Sequence, residues 1–136
     1  MSGVDSNGVP VAGVALPAGS GSWSSLSDRN AKTNFTPVNS RELLDRLAQL
    51  PIQTWNYKSQ SESVRHIGPT AQDFHAAFAV GEDDRHIATV DEAGVALAAI
   101  QGLIQKVEQK ETEITELKQR LEKLEQRMNQ HSGGAK

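Results

Sequence analysis

Within the stretch LSDRNAK, Ser27 and Lys32 stand five residues apart and are the pair in this chain best suited to covalent chemistry. A serine hydroxyl becomes a nucleophile when a base takes its proton. An uncharged lysine amine can be that base where burial or nearby positive charge favours its neutral form. The chemistry would be acyl transfer, up to the cutting of the chain itself; the alternative is a polar loop with no chemistry. Spacing alone is weak support, because lysine and serine are both common. An offset of five also puts side chains on opposite faces of a strand, and about 140° apart on a helix. The two groups meet if the chain turns at Asp28-Arg29-Asn30, or if the lysine comes from another subunit.

Other constellations carry less. His66, His75, His86 and His131 are scattered without the pair spacing of a metal site, and HExxH does not occur. No metal and no cofactor is expected. The chain has no cysteine, so neither disulfides nor thiolate ligands enter. Gly68 in IGPTAQD opens no phosphate loop, since neither GxGxxG nor GxxxxGK[ST] is present. Trp55 and Tyr57 read as core residues rather than a ligand platform.

The elements that must position Ser27 and Lys32 fall into three segments, followed by a short tail over 131–136. Residues 1–26 are rich in Gly, Ser and small apolar residues, with Asp5 as their one charge. Pieces such as VPVAGVAL read as weak strands broken by Gly and Pro, the end of a β-rich or fibrous segment or a flexible leader. Residues 27–90 read as a compact α+β unit. NSRELLDRLAQLP offers Asn39 as N-cap with Glu42 three places on, Leu43, Leu44, Leu47 and Leu50 on one helical face, and Pro51 as the stop. TWNYK alternates like a strand, and SQSESVRH reads as a loop. In IGPTAQDFHAAF, Pro69 suits the first helical position. GEDDRHIATVD predicts a charged turn, a short strand and a helix cap at Asp91.

Residues 91–130 predict a coiled coil. With Ile100 at heptad position a, the a positions continue through Val107, Ile114, Leu121 and Met128. The d positions are Ala96, Leu103, Lys110, Leu117 and Leu124, with Lys110 the one polar member, a register-fixing layer or a snorkelling residue. In a parallel bundle each g residue faces the e residue five places along a neighbour. Those pairs are Lys106 with Glu111, Glu113 with Lys118 and Arg120 with Glu125, all opposite in sign, which favours parallel self-association.

Bulk properties narrow the partners. The formal net charge of -3 over 136 residues argues against a nucleic-acid surface. No apolar run approaches the roughly 20 residues of a membrane span, and no secretory signal is expected at MSGVDSNGVP. Aromatic content of 4% is low for a self-sufficient core and hints that other copies of the chain complete the burial.

Taken in order, SDRNAKTNF, TWNYK, HIGPTAQDF and ATVDEAGVALAAIQGL resemble the chaperone of endosialidase domain, the S74 peptidase family, from about Ser24 to Val107. Such domains end phage tail spikes and fibres; the wording WSSLSDRNAKTNF looks closest to bacterial tail-fibre proteins. The resemblance implies an α+β domain followed by a long coiled-coil helix and assembled as a parallel homotrimer. It would act as an intramolecular chaperone that aligns three upstream fibre chains and then cuts itself free. Its partners would be its own copies and the upstream fibre segment as folding client. By the same resemblance its place would be a virion tail or a cell-associated fibre. The implied nucleophile is Ser27, its partner Lys32 and the cut Leu26–Ser27, with supporting roles for Asp28 and Asn34. Gly68, Ala71 and Gln72 match the family's G-x-x-A-Q element. Other readings are a trimerisation cap with an inert Ser/Lys pair, and a coiled-coil adaptor for a foreign partner.

Overall fold

The computed structural model describes residues 3–134. The outermost positions of the expected leader and tail, residues 1–2 and 135–136, lie outside the described residues. The chain divides between Val38 and Asn39 into two compact units.

The first unit is built from very short strands, as its Gly- and Pro-broken sequence dictates. β1 (Gly3–Val4) pairs antiparallel with β2 (Pro10–Ala12), and β3 (Val14–Ala15) pairs antiparallel with β4 (Ser24–Ser25). Between β1 and β2 the Asp5 carboxylate accepts from the amides of Asn7 (2.8 Å) and Val9 (2.9 Å), while Gly8 supplies the positive φ of 77° that the turn needs. Past β4, a single 3-10 turn occupies Arg29–Ala31.

The second unit holds three helices and one hairpin. α1 (Ser40–Leu47) starts where expected, with the Asn39 side chain accepting from the Glu42 amide at 3.2 Å. The reciprocal half of the capping box goes elsewhere, because the Glu42 carboxylate pairs with Arg46 one turn on. β5 (Gln53–Trp55) and β6 (His66–Gly68) form an antiparallel hairpin, so His66 belongs to a strand rather than to the preceding loop. α2 (Ala71–Phe78) is capped by Thr70, whose hydroxyl accepts from the Asp73 amide and donates to the Asp73 carboxylate. That reciprocal cap moves Pro69 to just outside the helix instead of its first position.

α3 (Thr89–Ser132) runs for 44 residues. The expected strand before it does not form, because the amides of Arg85 (2.8 Å) and His86 (2.9 Å) are both spent on the Asp83 carboxylate. Those bonds, the Arg85 amide first and the His86 side chain next, hold the Asp83 carboxyl below its ordinary range. Nor is Asp91 the cap: that place falls three residues earlier at Ala88, which offers no side-chain bond, and Asp91 and Glu92 instead place negative charge in the first turn.

Leu50, Phe74, Phe78 and Val95 are buried together, with Leu43, Leu47, Ala77 and Ile87 packed against them. Phe74 and Phe78, one turn apart on α2, meet edge to face at 5.0 Å. Each such side chain is worth about 1.5–3 kcal/mol when fully buried, so this is a small core, in keeping with the scarcity of aromatics. α1 also lies along α3. A Cβ on Gly102 would stand 2.8 Å from the Ser40 carbonyl carbon, a closeness only glycine permits. Trp55 and Tyr57 lie outside this core. They make a separate cluster with His66, ring centroids 4.8–5.6 Å apart, in which Tyr57 is 58% exposed.

Candidate functional site

The expected pair meets within one chain. Lys32 Nζ donates to Ser27 Oγ at 2.6 Å. The reversal that allows this is local. Asp28 Oδ1 accepts from the Asn30 amide at 2.9 Å and from the Asn30 side-chain amide at 3.2 Å. The amides of Ala31 and Lys32 then bond the carbonyls of Asp28 and Arg29, each at 3.2 Å. A carboxylate one residue after the serine therefore caps the turn that carries the lysine back to it.

Both sides of this turn are fastened. The Arg29 guanidinium lies 5.7 Å from the Phe35 ring centroid, a cation–π contact. Asn34 sits at φ 56°, a left-handed conformation that asparagine tolerates better than most residues, and it bends the chain so that Phe35 can reach Arg29. Upstream, the Leu26 amide donates to the Gly13 carbonyl at 2.9 Å, so the residue before the serine is pinned to the β3–β4 hairpin. A groove of about 440 Å³, lined by residues 12–15 with Ser24, Ser25 and Leu26, runs along that hairpin. Sequence reasoning found the serine, the lysine and the possible turn. It missed the Arg29–Phe35 clasp and the Gly13 anchor, although an arginine six residues before a phenylalanine across a polar turn was a visible signal for the first.

Gly68 and Gln72 lie in the second unit, Gly68 at the end of β6 and Gln72 exposed in the first turn of α2. Among the described residues, no group of three His, Asp or Glu side chains could hold a metal ion, and no helix is long and apolar enough to cross a membrane.

The model of the Peptidase_S74 family, chaperone of endosialidase, matches residues 27–80. It is the family that the sequence motifs resemble. The chaperone-of-endosialidase span opens on Ser27, takes in the 29–31 turn, α1, the β5–β6 hairpin and α2, and leaves α3 outside. No curated protein and no solved structure matches the chain.

Proposed function

We propose that this chain is a self-assembling chaperone segment that cuts itself between Leu26 and Ser27. The observation that carries the reading is the 2.6 Å contact between Lys32 Nζ and Ser27 Oγ at the opening residue of the chaperone-of-endosialidase match. In the uncharged state Lys32 accepts the Ser27 hydroxyl proton while Oγ attacks the Leu26 carbonyl carbon. The C–N bond to Ser27 then breaks, and the lysine ammonium returns its proton to the departing amine. The resulting ester joins the Leu26 acyl group to Ser27 Oγ. Water adds to that ester, the C–Oγ bond breaks, and the products are a Leu26 carboxylate and a chain that begins at Ser27. The bond from Leu26 to Gly13 steadies the acyl side through these steps.

Assembly is the second half of the proposal. The a and d residues of α3, Ile100, Leu103, Val107, Ile114, Leu117, Leu121, Leu124 and Met128, are all exposed along one stripe. Parallel copies would cover that stripe, with Glu113 facing Lys118 and Arg120 facing Glu125. The number three follows from the family's fibre-ending role rather than from the heptads. Upstream fibre strands of high contact order are slow to find register, and a terminal segment that associates early lowers the entropy of aligning them. Ser27 and Lys32 are exposed in a lone chain. Exclusion of water by neighbours would favour the uncharged amine and so tie cutting to assembly.

Intact mass of purified protein tests the cut. Two species are expected, residues 1–26 and a fragment whose N-terminus is Ser27. Ser27→Ala abolishes the cut without dispersing the oligomer, Lys32→Ala slows it at least a hundredfold as loss of general-base help requires, and raising pH accelerates the wild type. Continued cutting in Ser27→Ala, or a new N-terminus elsewhere, sinks the mechanism.

A further inference from the structure

The e positions of α3 change character along its length, and α1 sits where they change. From Glu111 onward they are charged, Glu111, Lys118 and Glu125. Before it they are Leu97 and Ile104, 65% and 51% exposed. On the other flank of the same segment, the g and c positions are taken by the chain itself. Ala99 is only 4% exposed, Gly102 holds the Ser40 carbonyl, Arg41 bonds Gln109, and Lys106 Nζ lies 2.6 Å from the Asp45 carboxylate. Lys106 is thus paired within its own chain, so Glu111 of a neighbour would compete with Asp45 for it. In a parallel bundle the e face of one helix looks onto the g flank of the next. Over residues 99–109 that flank is not a bare row of side chains but a helix edge closed by α1.

We infer that Leu97 and Ile104 are a second seam, seated against α1 of a neighbouring copy, so that the upper part of the assembly is held across α1 and the lower part by the heptad stripe. The inference rests on the parallel self-association proposed above. A second copy is the occupant because the apolar e residues continue the a and d stripe without a break. By the five-place rule Ile104 would meet the neighbour's flank at Ala99, which is buried, while Leu97 would meet Glu92, the exposed acid at the outer end of the seam. Where α1 ends, the flanks return to complementary charge. Leu44 on α1, half-buried beside Gly102, adds apolar surface at the same level.

The test uses the full chain with Ser27→Ala, so that cutting does not intervene. Leu97→Glu with Ile104→Glu alters exposed positions only and sets like charge against Glu92 of the neighbour, and helicity reports that the lone fold persists. Light scattering across a dilution series is expected to show the assembly midpoint raised at least tenfold, while Gln105→Lys, an exposed change at the outward f position, leaves it in place. Assembly of the double variant at the wild-type midpoint overturns the inference. A parent that is monomeric throughout overturns instead the self-association on which it rests. Because the chain lacks cysteine, Asp45→Cys with Ile104→Cys gives a direct reading: on oxidation, covalent dimers or larger species are expected, and a product that remains one chain long overturns the seam.

Discussion

Asp28 is the residue on which the Ser27–Lys32 contact turns. Its carboxylate takes two donors from Asn30 and thereby sets the 3-10 turn. Asp28→Ala removes a cap of the kind worth about 1 kcal/mol, which as a populated fraction of the turn is roughly a fivefold fall in cutting rate. Rate by intact mass, with oligomeric state unchanged, checks this; an unaltered rate would remove Asp28 from the positioning role. The residue types were legible from sequence, since serine and lysine announce their chemistry. Their meeting was not, because an offset of five is compatible with a local turn or with a lysine from elsewhere. A carboxylate finding two donors within two residues decides between them, and such short polar bonds leave no periodicity to read.

At the scale of elements, one cap read well and the rest, like the connections, read poorly. Asn39 was visible as a cap, and it holds the Glu42 amide. The strand expected before α3 fails for a reason invisible to alternation, since Asp83 claims the amides a ladder would have used. Gly102 shows the same limit. In the heptad it falls at an outward c position, where a glycine is unremarkable, and only the approach of α1 makes it irreplaceable. Gly102→Ala would drive a methyl into the Ser40 backbone, and overpacking of this kind costs about 2–3 kcal/mol. Thermal or urea unfolding is expected to show that loss, with α1 shed before α3 itself melts. Wild-type stability would mean the two helices can separate freely.

For the whole molecule the small core and the long exposed stripe are two sides of one fact. On the proposed self-association, few aromatic residues and a 44-residue helix with an uncovered apolar face make the chain's stability depend on its concentration. Lys110 limits that association from within the stripe. Its amine lies 2.7 Å from the Glu113 carboxylate and holds that carboxyl below its ordinary range, with Gln109 adding a second bond. Lys110→Ile is expected to raise the melting temperature of the proposed assembly, to admit a second oligomeric size by light scattering and to move Glu113 part of the way back toward its ordinary range, the Gln109 bond remaining. A lower melting temperature would show that the lysine makes a contact the assembly needs. Heptads made legible the long helix and the apolar stripe it leaves exposed. They were silent on α1, whose place beside α3 comes from tertiary packing.

The closeness of Ser27 to Lys32 has a consequence in time. A contact that spans one turn forms by first-order chain motion, on the order of a microsecond, and owes nothing to how many other chains are present. Meeting those chains is second order and slows with dilution. On the proposed mechanism the pair is therefore set long before any neighbour arrives, and a pair sufficient by itself would sever an upstream segment while it was still unaligned. The delay that protects the client lies in the arrival of the neighbour and the loss of water that follows, so concentration acts as the clock: a crowded site of synthesis shortens the wait, and an isolated chain keeps its upstream segment attached.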